Sequence, residues 1–277
     1  MASRPIPRDI GIIGGTGWLG KAIGRALVTS GFINPAALWV SNRSGTTQGY
    51  EDWPGVRFTT NNEELVDHCA TVLVSVLPRD FGSLGADLSG RLVISVMAGA
   101  SVQVIARHSG ARRIIRALPN AAAEVRLSYT PWYATGEVTA DDGDFVQALF
   151  ETCGQADRVP SEDQIDYFTA LTGPGPGFIA FYADAMIRHA ASKGVEPATA
   201  ERAVRQLFHG AGVMLARSST TPGDIVRVFV DYAGTTAEGL RTFQASALAE
   251  DIGRGIDAAY RKARIDLTGL GAAEESR

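Results

Sequence analysis

An apolar run, Ile10-Gly11-Ile12-Ile13, feeds directly into "GGTGWLG", Gly14 to Gly20, and the chain continues as the amphipathic "KAIGRALVTSG". This succession predicts a strand, a tight glycine turn and a helix, the repeating unit of an open parallel sheet. Gly15, Gly17 and Gly20 stand at Gly-x-Gly-x-x-Gly spacing. In that pattern the first glycine allows the turn, the second lets a pyrophosphate approach the backbone, and the third lets the helix pack close to the strand. Free amides and the positive end of the helix dipole then favour phosphate. Gly15, Thr16, Gly17, Trp18 and Leu19 are therefore predicted to hold a dinucleotide.

Further apolar runs follow: "ALWVSN", "TVLVSVLP", "RLVISVMAG" and "RRIIRALPN" read as strands, and "NEELVDHC" as a helix. Strands apolar throughout and separated by helical pieces predict a parallel sheet covered on both faces. The second strand ends in "VSNRSGTT", where a site for NAD usually places a carboxylate. Ser41, Asn42, Arg43 and Ser44 offer donors and a guanidinium instead, which favours a 2′-phosphate and hence NADP(H). From Ser161 the chain becomes Ala-rich, with apolar residues at three- and four-residue spacing, and Pro174, Pro176 and Pro222 break it into helices. The predicted fold class is thus α/β: a Rossmann-type dinucleotide-binding domain over residues 1–160, followed by an all-α domain over residues 161–277.

Composition narrows the function. Thirty acidic residues against twenty-six Lys and Arg give a net charge of −4, and no basic run is present, so a nucleic-acid partner is not expected. The start "MASRPIPRD" lacks a signal-peptide core and no stretch is long enough to span a bilayer, so neither membrane association nor export is expected and the predicted location is the cytoplasm. Cys69 and Cys153 are far apart and read as buried side chains, and His68, His108, His189 and His209 share no ligand spacing; no metal site is predicted. His68 and His108 read as solvated, His189 and His209 as packed or interface residues. The aromatic cluster of Tyr129, Trp132 and Tyr133 in "SYTPWYATG" reads as packing.

The glycine turn, "SVLPRD", "VISVMAGAS", "RIIRALPN", "EDQIDYFTALTGPGP" and "GDIVRVFVDYAGTTAEGL" occur in this order along nearly the whole chain. Together they resemble the pyrroline-5-carboxylate reductase family, which reduces a cyclic imino acid to proline with NAD(P)H. The resemblance implies a helical domain that interlocks two subunits, an active site between that domain and the cofactor domain, and a small-molecule imine as substrate. Position by position it assigns Asn42, Arg43 and Asn62 to the adenosine phosphate and adenosine. Val76, Leu77, Pro78 and Val96, Met97, Ala98 fall on the nicotinamide side. Glu162, Thr235 and Thr236 match substrate contacts, with the Thr236 hydroxyl near the imine nitrogen as the catalytic donor; as a residue in isolation, Thr236 also reads as a helix N-cap.

Several positions depart from the family pattern. The glycine turn has one residue more than usual, a form it shares with deazaflavin-dependent NADP reductases. Asp231-Tyr232-Ala233-Gly234-Thr235-Thr236 stands for Ser-Pro-Gly-Gly-Thr-Thr, Leu77 for a frequent lysine, Val228 for an asparagine of some members, and Arg126 for a usual glycine. Asp231 beside a substrate carboxylate would add a like charge, which points to a substrate without one. The expected activity is NADP-dependent reduction of a cyclic imine, with pyrroline-5-carboxylate as reference; a non-carboxylate imine or ketone is the second reading, and a catalytically inactive dinucleotide-binding regulator the third.

Overall fold

The computed structural model describes residues 9–265 and 267–270. They divide into two compact units, one comprising the chain up to Pro174 together with Ala259 onward, the other Gly175–Ala258.

Eight strands of the first unit form one sheet among the described residues: β1 Ile10–Ile13, β2 Leu38–Ser41, β3 Arg57–Thr59, β4 Thr71–Val74, β5 Leu92–Ser95, β6 Arg113–Ala117, β7 Ser128–Ala134 and β8 Gly154–Arg158. Their order is β3-β2-β1-β4-β5-β6-β7-β8. β1 lies between β2 and β4, with Ile10 opposite both Leu38 and Thr71. All neighbours run parallel except β6 and β7, which are antiparallel. The expected parallel sheet is therefore a mixed one. The connection explains the reversal, because only a short 3-10 helix, Ala121–Val125, joins β6 to β7, too little chain for a parallel crossover.

The helices of this unit are α1 Trp18–Thr29, α2 Asn62–His68, α3 Val102–Ser109, α4 Ala140–Glu151 and α5 Glu162–Leu171. Alternation along the strands sorts the core into two layers. Ile10, Ile12, Leu73, Leu92, Ile94 and Ile115 pack with Ile23 and Leu27 of α1 and Phe145, Leu149 and Phe150 of α4. Ile13, Val72, Val74, Val93 and Ile114 face the other way, onto Leu65 of α2 and Val104 and Ile105 of α3. Burying each such side chain contributes about 1.5–3 kcal/mol, so both faces must be covered before the sheet is stable. Cys69 and Cys153 are free and buried; burial pushes the Cys69 thiol up to about 12. Within the aromatic cluster, Trp132 is buried and its indole N–H donates to Gln147 Oε1 at 2.8 Å, while Tyr133 packs beside Leu118, Val159 and Ile165. His68 is exposed, yet its ring stacks on Trp39 at 4.4 Å rather than being merely solvated.

The second unit is helical: α6 Gly175–Ser192, α7 Pro197–Arg217, α8 Pro222–Asp231, α9 Thr235–Gln244 and most of α10, Leu248–Ala263. "GDIVRVFVD" belongs to a helix of its own, and the stretch from Gly234 onward holds two more, α9 and α10. Exposed His189 and His209 lie on α6 and α7. No described helix is long and apolar enough to cross a membrane.

Candidate functional site

β1 ends at Ile13, and Gly14, at φ +80°, makes the reversal. The N–H groups of Gly14 and Gly15 both donate to the Ser41 carbonyl, at 2.9 and 3.3 Å, and the Gly17 N–H donates to the Gly14 carbonyl at 3.0 Å. A Cβ on Gly14 would lie 2.5 Å from the Ser75 oxygen, so only glycine fits both the angle and the space. The left-handed residue is thus Gly14, one position ahead of the glycine that the spacing assigned to the turn. α1 then starts at Trp18 with Gly17 as its N-cap, no side-chain capping bond and no acidic residue in its first turn. Its first amides have no helical acceptor and no side chain of its own first turn caps them, which is the donor set that a pyrophosphate needs. Sequence reading missed Tyr50, whose buried hydroxyl donates to the Gly15 carbonyl at 2.9 Å and holds the turn from behind; its burial also raises the phenol pKa.

Above the turn lies a cavity of about 760 Å³. Thr16, Gly17, Trp18 and Leu19 line it from the turn, Asn42, Arg43, Ser44 and Asn62 from the β2 side, and Val76, Leu77, Pro78, Val96, Met97 and Ala98 from the ends of β4 and β5. Gly15 is buried behind it. Asp80 and Leu267 also line it. "SVLPRD" contained the first of these without marking it as a wall. Nothing in the sequence marked Leu267, which arrives from far along the chain and whose N–H donates to the Gly99 carbonyl at 3.1 Å.

The polar residues of the β2 side divide their work. Asn42 Oδ1 accepts from the Thr46 N–H at 3.1 Å and from Ser44 Oγ at 3.0 Å, and its Nδ2 donates to the Thr46 carbonyl at 2.9 Å. Asn42 and Ser44 thereby fold their own loop. Asn62 accepts from Ser41 Oγ at 2.6 Å and donates to the Leu84 carbonyl at 2.7 Å, fixing α2 against the cavity. Arg43 is left projecting, its side chain 90% exposed and its guanidinium 3.2 Å from Asp80 Oδ2.

Glu162 stands at the start of α5. Its Oε1 accepts from the first amide of α3, Val102, at 2.7 Å and from Arg116 Nη1 at 2.6 Å, while Arg116 Nη2 reaches Asp166 at 3.0 Å. This carboxylate, assigned to substrate by resemblance, ties α5 to α3 and β6. Arg116 and Asp166 went unread, although an arginine inside the apolar run "RRIIRALPN" was a visible signal for a buried ion pair.

In the helical unit, Gly234 is the N-cap of α9 without a side-chain capping bond, and Thr235 and Thr236 are its first two residues, both exposed. Thr236 is accordingly not the cap that its local sequence allowed. Asp231 is the exposed last residue of α8, and Ala233 between the two helices has φ 56°.

Residues 9–99 match the family model described as NADP oxidoreductase coenzyme F420-dependent, a span that holds every residue read as cofactor-binding. Residues 162–265 match the model for pyrroline-5-carboxylate reductase dimerisation. Pyrroline-5-carboxylate reductase 2 of Bacillus subtilis is 31% identical over 97% of this chain and 99% of its own. The pyrroline-5-carboxylate reductase of Thermus thermophilus is 30% identical over 90% of this chain and 95% of its own. The solved structure of a pyrroline-5-carboxylate reductase from Coxiella burnetii superposes with a TM-score of 0.85 at 26% identity, covering 94% of this chain and 98% of that one. The glycine turn, the cavity above it and the helical unit are therefore those of a member of the pyrroline-5-carboxylate reductase family, to which this chain belongs.

Proposed function

We propose that this protein reduces pyrroline-5-carboxylate to proline with NADPH. The observation that carries the reading is the near-full-length relationship to pyrroline-5-carboxylate reductases, at 31% identity over 97% of the chain, joined to a glycine turn whose amides are open to phosphate. Bound NADPH supplies the hydride, so the protein's task is to bind, orient and polarise. The first turn of α1 takes the pyrophosphate and Arg43 the 2′-phosphate. In α9, the uncapped amides of Thr235 and Thr236 at the positive helix end receive the substrate carboxylate, and the Thr236 hydroxyl donates to the imine nitrogen, which makes the adjacent carbon a better hydride acceptor. Asp231 does not rule this out: it is the exposed last residue of α8, four positions ahead of Thr235, and its side chain is open to water and salt that screen it. The family relationship thus favours the imino acid over a substrate without the carboxylate and over an inactive regulator.

The dimerisation model over residues 162–265 supports a homo-oligomer. We take it to be a homodimer or a multiple of one, working in the cytoplasm on a small-molecule substrate without a nucleic-acid partner. The test of function is the purified protein with NADPH and pyrroline-5-carboxylate. One proline formed per NADPH oxidised is expected; oxidation of NADPH only with rings lacking the carboxylate would overturn the assignment.

A further inference from the structure

The cavity walls carry a cation and a carboxylate that already hold each other. Arg43 stands immediately beyond β2 and Asp80 in the short 3-10 helix, Pro78–Ser83, beyond β4. Both line the cavity, and their charged groups are 3.2 Å apart. Because β2 and β4 flank β1 in the sheet, the pair reaches across the strand that feeds the glycine turn. The two partners are unequally held. Asp80 has a side chain 27% exposed against 90% for Arg43, and its backbone is fixed by its N–H to the Leu77 carbonyl and by Ser83 Oγ on its own carbonyl. The carboxylate is the stationary partner and the guanidinium the one free to turn.

We propose that Asp80 is a specificity-determining residue for the dinucleotide, competing with the 2′-phosphate for Arg43 and so narrowing the preference for NADPH over NADH. The inference rests on the assignment of Arg43 to that phosphate. An exposed arginine–carboxylate pair is weak, whereas a phosphate offers the guanidinium two strong charge-assisted bonds, so the phosphate displaces Asp80. The displacement is not free, since the pair is broken and a carboxylate is left on the wall of the cavity that now holds a dianion. NADH, with a hydroxyl in place of the phosphate, makes no such demand. The residue that sets the cofactor preference thus comes from the β4 side as well as from the β2 loop, where it is usually sought.

Equilibrium fluorescence titration of the full-length protein with NADPH and with NADH tests this in four forms: parent, Asp80→Asn, Arg43→Ala and the double variant. Asp80→Asn is expected to tighten NADPH about two- to fivefold, the range of an exposed ion pair, and to leave NADH within about 1.5-fold, which also reports that the site is folded. Arg43→Ala is expected to weaken NADPH about tenfold or more, and Asp80→Asn is expected to add nothing in that background. Unchanged NADPH affinity in Asp80→Asn, an equal change for both cofactors, or a gain that persists without Arg43 overturns the inference while leaving Arg43 as the phosphate ligand. An Arg43→Ala protein that binds NADPH as the parent does overturns both.

Discussion

Ala233 occupies a left-handed backbone conformation, φ 56°, in the turn that delivers α9 and its two threonines. For a residue with a Cβ this conformation costs about 1–2 kcal/mol, part of which glycine would return as unfolded-chain entropy. Ala233→Gly should therefore stabilise the protein by about 0.5–1 kcal/mol, seen as a rise in Tm of about 1–3 °C. A Tm that stays level or falls would show that the turn is not strained. The same residue illustrates what sequence could deliver at this scale. "YAGTT" showed that the usual first glycine was missing, and its neighbour Asp231 was visible as an added charge. Whether that charge lay close to the threonines depended on where α8 stopped. α8 ends at Asp231, with Tyr232 as its C-cap and Ala233 turning into the left-handed region, a boundary that single residues locate only to within one or two positions.

α1 is positioned by a contact that its own sequence does not explain. Gly24 lies in mid-helix, where glycine is unfavourable by up to about 1 kcal/mol relative to alanine. A Cβ there would lie 2.1 Å from the Tyr50 hydroxyl, the group that holds the Gly15 carbonyl. Gly24→Ala should cost about 1–3 kcal/mol by overpacking and weaken NADPH binding, because displacing Tyr50 loosens the glycine turn. Tyr50→Phe in the Gly24→Ala background should restore part of the stability but not the affinity, as denaturant melts and NADPH titrations will report. A Gly24→Ala protein with parental stability and affinity would contradict the account. Among the elements, the strands that read correctly were those buried on both faces, where continuous apolar runs leave little alternative. β3 and β8 escaped because they are edge strands without a continuous apolar run: "RFT" has three residues, none fully buried, and Ala156 alone is buried in "GQADR". β7 escaped because Pro131 interrupts "SYTPWYA". Its missing N–H is tolerated because it falls just past the end of the β6–β7 pairing, which runs over Trp132 to Ala134, and the Pro131 carbonyl still accepts from the Leu118 N–H at 3.0 Å.

Across the whole molecule, the helical unit stands out for what it fails to bury. Phe181, Leu207, Met214, Val228, Phe229 and Tyr232 are among its exposed large side chains, and neither α6 nor α8 contains a buried residue. So much open apolar surface marks an interface, and obligate homodimers commonly bury more than about 2,000 Å². Sedimentation at micromolar concentration should show a dimer or a multiple of one; a monomer would contradict this reading. The class of fold, the glycine turn and the helical half were legible because each rests on local periodicity. Arg116, Asp80 and Leu267 were not, because their roles depend on partners 37 to 168 residues away. The central claim is that the chain acts on an imino acid despite Asp231. It is tested most directly by the ratio of kcat/KM for pyrroline-5-carboxylate to that for the same ring without its carboxylate, measured with NADPH in the parent and in Asp231→Ser. The account predicts that the parent favours the acid by roughly tenfold or more, the value of one charge-assisted contact, and that Asp231→Ser raises the ratio by less than about threefold, as expected of a screened surface charge. A parent that prefers the uncharged ring, with Asp231→Ser moving the preference to the acid, would contradict it.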